Sequence, residues 1–209
     1  MMNPIAFLSA LKEKRRVRQD AAKHAHLLYG HIIKSARNHA LYAHEDGLVD
    51  DADTRLESLS LHLFFFYERA YHEAKLSLIA DEMANLVTMD MENNLRELGA
   101  GDMKIGKKVK NTMRLIYGRL DQYWGHFHQG QEDDLCHHQQ ANQAQIANQA
   151  QIDCLRRNLF HKGGGQQDKT IHQFYLYIQA QQAFWQQNDA VTMLAPSFHI
   201  PDLFSNLQG

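Results

Sequence analysis

Proline is scarce in this chain, and its scarcity limits the possible folds more than any other feature. Only three occur in 209 residues, and the 12 glycines are spread thinly. Proline removes a backbone donor and breaks a helix interior, so a chain with so few breaks admits long uninterrupted helices. No strand pattern stands out. The expected fold class is all-α, an irregular multi-helix bundle built from helical hairpins, with no sheet. At 44% apolar and 22% charged, the composition is that of a folded soluble protein, long enough to bury its own core.

The apolar spacing marks out the helices. From Ala21 to about Tyr42, Leu28, Ile32, Ala36 and Ala40 recur every four residues. An acidic loop is expected over 44–53, followed by a capping box at Thr54-x-x-Glu57. The next helix carries Leu56, Leu59, Leu63, Phe66 and Ala70 on one face. Leu61, Phe64 and Phe65 lie on its other faces, so it is expected to be buried nearly all round, at the centre of the core. Ile79, Met83, Leu86, Val87, Leu95 and Leu98 mark a third helix whose start is unclear. Ile105, Val109, Met113, Ile116, Leu120, Tyr123 and Phe127 mark a fourth.

Helix is also expected over 131–160, ending before "KGGG" at 162–165. Inside it "ANQAQI" occurs twice in tandem, at 141–146 and 147–152. Six residues are not a helical repeat, so the pair reads as a slipped duplication in a tolerant, exposed helix. A last helix spans 168–187. The end, with Pro196 and Pro201, should run irregularly across the surface.

Several classes are excluded or constrained. Two cysteines, Cys136 and Cys154, are too few for a disulfide framework. On one straight helix they would lie about 27 Å apart, beyond disulfide reach. No apolar run approaches the roughly 20 residues needed to span a bilayer. The start, "MMNPIAFLSALKEKRRVR", reads as a first helix with a solvated basic end. A short amphipathic membrane-touching helix is the other reading.

The segment "ELGAGDMKIGKKVK", residues 97–110, resembles a phosphate-binding loop. Such a loop needs a strand before it and a Ser/Thr for magnesium after the lysine. Here the preceding residues are helical, Lys108 holds the Ser/Thr position, and Asp102 would repel phosphate. The segment reads instead as a reversal between two helices. Gly99 is then the left-handed C-terminal cap and Asp102 the next N-cap, with Gly106 a close-packing point.

Charge is segregated although the net is only −2. Residues 45–57 hold six acids, whereas residues 103–120 hold six bases and no acid. Lys104, Lys107, Lys108, Asn111 and Arg114 share the face opposite the fourth apolar stripe. That face is either a solvated surface or a contact surface for an anionic partner such as ribosomal RNA. Asp90 lies in an apolar stripe and should find a cation or backbone donors, with Arg119 a plausible partner. Glu68 and His72, four apart, read as a surface pair. The 14 histidines lack zinc spacing, and the Glu-x-x-His of di-iron bundles is absent. No metal, cofactor-binding or catalytic residues are assigned.

Three blocks carry a family resemblance: "LYGHIIKSARNHALY", "DADTRLESLSLHLFFFYER" and "DMENNLRELGAGDMKIGKKVKNTMRLIYGRLDQY". In this order, over roughly residues 27–125, they resemble the ubiquinol–cytochrome c chaperone family, assembly factors of respiratory complex III in mitochondria with bacterial relatives. The third block is the most specific. Arg55, His62, Asp90, Arg96, Glu97, Gly99, Gly101, Asp102, Lys107, Lys108, Gly118 and Arg119 fall on the motif, most of them in structural roles. Gly118, inside a helix, is expected to permit a close contact, with the Phe64–Phe66 helix the candidate neighbour.

The resemblance implies no catalysis and no cofactor. It implies an apolar membrane-protein client resembling cytochrome b, contact with the ribosome and with the membrane periphery, and no DNA. Lys104, Lys107, Lys108 and Arg114 are the candidate partner-binding residues. The client would be sheltered in an apolar groove flanked by the basic face. The rival reading is a helical binder of a quinone or lipid in a Phe- and Leu-lined pocket. The absence of a presequence favours a bacterial-type, cytoplasmic protein touching the inner membrane; a eukaryotic member would work in the mitochondrial matrix. The expected organisation is a helical arm over 1–45, a core over 46–190 and an irregular tail over 191–209.

Overall fold

The first helix, α1 (Pro4–Ala36), is 33 residues long, about 50 Å at 1.5 Å per residue. The structure, a computed structural model, describes residues 4–43, 47–128, 137–160 and 168–204. Cys136, Glu45, Asp46 and the "KGGG" segment lie outside the described residues, as do the side chains of the first "ANQAQI" copy. The basic end of α1 is solvated as expected, with residues 9–19 all exposed. Burial begins at Ala21 and continues through Ala25, Leu28, Ile32 and Ala36. The helix then stops four residues short of the predicted stripe. Asn38 caps a 3-10 turn over His39–Leu41, and its side chain accepts from the Ala40 N–H. The Ala36 carbonyl, freed by the end of α1, accepts from the Tyr42 and Ser58 hydroxyls at 3.0 and 2.9 Å.

Helix α2 (Ala52–Tyr71) is the central spine, touching α1 and four further helices of the bundle. Every residue from Glu57 to Phe66 is buried. Its cap differs from the expected one. Asp51, not Thr54, is the N-cap, and its carboxylate accepts from the Thr54 N–H at 2.8 Å. The predicted capping glutamate, Glu57, reaches Arg119 on another helix instead.

A break at His72–Glu73 and a 3-10 turn over Ala74–Leu76 lead into α3 (Ser77–Glu97). Ile79, Met83, Val87 and Met91 are the buried face of α3, which packs on α1 and on α4 (Asp102–Phe127). Leu98 was expected in that stripe but is 80% exposed, because α3 has already ended at Glu97. In α4, Ile105, Met113, Ile116, Tyr123 and Phe127 are buried, following the predicted spacing.

Helices α5 (His137–Leu159) and α6 (Asp168–Gln187) pair with each other and close over α2. The second "ANQAQI" copy is less tolerant than expected. Gln151 is buried and accepts from Gln179 of α6 at 3.0 Å. After the short α7 (Ala190–Met193) the tail is irregular, yet it does not merely cross the surface. Phe204 is buried against Phe174 and Tyr177, and Phe198 packs on Trp185, Phe184 and His31. Among the described residues every regular element is helical, which makes the fold class all-α.

Candidate functional site

The segment that resembles a phosphate loop is a helix–turn–helix reversal. Gly99 has φ 79°, the left-handed conformation that glycine adopts without cost. The Gly99 N–H bonds the Arg96 carbonyl at 2.9 Å, and the Ala100 N–H bonds Leu95 at 3.0 Å, the two bonds of a Schellman cap. The next N-cap is Gly101 rather than Asp102. Asp102 stands one residue later, in the first turn, where its charge suits the helix dipole. There it accepts from Arg96 at 2.6 Å, while Arg96 also holds Glu92 at 2.7 Å. The lysines beyond this turn follow a helix, not a strand.

That reversal sets the direction of α4 and therefore what its outer face shows. Lys104, Lys107, Lys108, Lys110, Asn111 and Arg114 are all exposed. Apolar side chains are interleaved with them: Met103 is fully exposed, and Leu115 and Tyr117 are about half exposed. Met103, Lys107, Lys110, Arg114 and Tyr117 follow one another at three- and four-residue steps, and so share one stripe. The outer face of α4 thus offers cations and apolar contacts side by side. Gly106 and Gly118, expected to be close-packing points, are exposed instead, and a Cβ on either would meet nothing within 4 Å. No atom of α2 comes within 4 Å of a Cβ placed on Gly118.

At its edge this face drops into a cleft of about 320 Å³ between α2, α4 and α5. Leu56 and Leu115 give it apolar wall; Glu57, Arg119 and Arg157 make it polar and charged. It is mixed in character, unlike the expected apolar groove. Within it Arg119 Nε donates to Glu57 Oε1 at 2.5 Å, and Nη1 donates to Gln122 at 3.1 Å. Arg119 therefore pairs with α2 and not with Asp90 as predicted. Asp90, half-buried, instead accepts from the Tyr29 hydroxyl of α1 at 2.8 Å. Burial and that carboxylate together push the Tyr29 phenol well above its ordinary range.

The other motif residues hold local structure. Arg55 makes an exposed pair with Asp50, and Glu97 closes α3 at the surface. His62 is buried, with Nδ1 2.7 Å from the Ser58 carbonyl and Nε2 2.6 Å from the Tyr177 hydroxyl. Glu68 does not form a surface pair with His72. It is buried, accepts from Gln182 at 2.9 Å, and lies 3.2 Å from His128 Nε2. Burial raises its carboxyl above the usual carboxylate range, and Gln182 and His128 offset part of that shift.

Sequence reasoning missed Glu57 and Tyr29 as charge partners. Glu57 carried a signal, being an acid at the head of an apolar run. Tyr29 carried none. The phenylalanines of α2 are packed rather than gathered around an opening. Phe64 touches Tyr123 and Phe127, Phe66 touches Trp185, and none of the three is more than 1% exposed. Among the described residues no group of three or more His, Cys, Asp or Glu is placed to hold a metal, and no helix is long and apolar enough to cross a membrane.

Comparison with known proteins bears on this arrangement. Residues 45–136 match the family model described as Ubiquinol-cytochrome C chaperone. The crystal structure of the Cbp3 homolog from Brucella abortus is similar, with a TM-score of 0.66 and 24% identity, over 94% of this chain and 97% of that one. At that identity the likeness establishes the shared fold. No curated protein matches the chain.

Proposed function

Taking residues 45–136 as a ubiquinol-cytochrome C chaperone segment, we propose that this protein is an assembly chaperone. It holds newly made cytochrome b, or a similar apolar membrane client, while the cytochrome bc complex is built. It does so by contact, without catalysis. The matched segment runs from α2 to beyond α4, so it contains both the charge-tied α2–α4 core and the outward basic face.

The observation that carries the reading is the interleaving on α4. Cationic side chains alone would suit a solvated surface. Cations beside exposed Met103, Leu115 and Tyr117 suit a segment with both apolar and anionic parts, such as the end of a membrane helix and the headgroups or ribosomal phosphates around it. The protein works in this reading at the periphery of the inner membrane, where such clients emerge.

Affinity purification of the tagged chain from gently solubilised membranes tests this. Cytochrome b is expected among the recovered proteins, enriched when later subunits of the complex are missing. Recovery of no cytochrome b under those conditions contradicts the reading.

A further inference from the structure

A separate cavity, of about 290 Å³, opens where the end of α1 meets α6 and the tail. Tyr177 and Gln181 line its inner side, at 2% and 1% exposure. Lys34, Arg37 and His39 line its rim and are exposed.

The hydrogen-bond order at the inner side is fixed by a single carbonyl. Ser58 O can only accept, so His62 carries its proton on Nδ1. Burial keeps the His62 imidazole neutral, with its pKa lowered to about 4, so Nε2 is a bare acceptor. The Tyr177 hydroxyl therefore donates to Nε2 at 2.6 Å. Its oxygen accepts from Gln181 Nε2 at 2.9 Å. The Gln181 amide cannot be turned round, because the only Tyr177 proton is already used. Gln181 Oε1 is thus left buried with no hydrogen-bond partner among the described residues.

A buried acceptor without a donor is costly, so Gln181 Oε1 must be met either by water or by a donor that enters from the cavity. The rim adds the second half of a recognition pattern. Lys34 and Arg37 also complement the C-terminal dipole of α1, but the dipole does not account for Gln181. Asp202, on the same rim, is engaged by the Asn38 amide at 2.7 Å.

We propose that this cavity binds a small organic anion that carries a hydroxyl group: Lys34 and Arg37 hold the anion, and the hydroxyl donates to Gln181 Oε1. The volume is at the lower end of the range for ligand sites, which suits a solute of few atoms or a lipid headgroup. The proposal does not rest on the α4 face or on the chaperone reading.

Calorimetry with glycerol 3-phosphate and with propyl phosphate, which lacks the hydroxyls, tests it on the full chain. Glycerol 3-phosphate is expected to bind about tenfold more tightly, and Gln181→Met to erase the difference. Lys34→Glu with Arg37→Glu, both at exposed positions, should weaken the two probes equally. Flotation with phosphatidylglycerol vesicles separates the sources. Flotation lost in Gln181→Met assigns a headgroup, and soluble binding without such flotation assigns a free solute. Equal affinity for the two phosphates would mean that water satisfies Gln181, and would overturn the proposal. So would no binding of either phosphate together with flotation that ignores Gln181.

Discussion

Arg119 of α4 and Glu57 of α2 form a 2.5 Å ion pair between positions 62 residues apart, with Glu57 the more buried partner. This pair ties the helix that bears the basic face to the spine of the fold. Removing only the cation leaves a buried carboxylate, which costs more than the pair is worth. Arg119→Met should lower unfolding free energy by up to about 3 kcal/mol in urea titration. Adding Glu57→Gln should recover part of that loss. Strictly additive losses would mean that the two residues act independently.

His62 makes stability depend on pH. Its folded pKa, lowered to about 4, lies below the ordinary value of about 6.5. Between those values the unfolded chain binds a proton that the folded chain refuses. The stability due to neutral His62 is complete above about pH 6.5 and is lost as pH falls towards 4, by about 3 kcal/mol in total. Glu68, with its raised pKa, acts in the opposite sense at acid pH. Thermal melts from pH 7 to pH 4 should fall less steeply for His62→Gln than for the parent chain. Identical slopes would contradict the burial of a neutral imidazole.

The glycines of the third motif block should separate cleanly. Gly106 and Gly118 are exposed inside a helix with open space around them, so alanine at either should stabilise the protein by up to about 1 kcal/mol. Gly99, at φ 79°, should instead lose about 1 kcal/mol on the same change. If Gly118→Ala raises the melting temperature yet weakens client binding, its place in the motif belongs to the contact surface.

The tail belongs to the core. Phe204→Ala should cost about 3 kcal/mol, as for other buried phenylalanines. A melting temperature unchanged by this substitution would show the tail to be dispensable.

The sequence disclosed elements better than partners, for a physical reason. A stripe such as Ile105–Met113–Ile116–Tyr123–Phe127 states which face of α4 is buried, because the helical period is local. It does not state which residue of another helix stands opposite. Asp90 was correctly marked as an acid needing a partner, but Tyr29 and Arg119 lie on different neighbouring helices and the period cannot choose between them. The chain from His62 through Tyr177 to Gln181 spans α2 and α6 in the same way. Phe204 was missed because an irregular segment has no period to read. The cap at Asp51 was misplaced by three residues because Asp51-x-x-Thr54 and Thr54-x-x-Glu57 both offer a capping side chain, and only the helix start separates them.

In the proposed function the outward face of α4 holds the client. The most direct measurement compares the parent chain with the variant Lys104→Glu, Lys107→Glu, Lys108→Glu, Arg114→Glu for affinity to detergent-solubilised cytochrome b across a salt series. The expected result is an unchanged circular dichroism melt, about tenfold weaker binding at low salt, and loss of the parent's salt dependence. Equal affinity and equal salt dependence in the two proteins would contradict it.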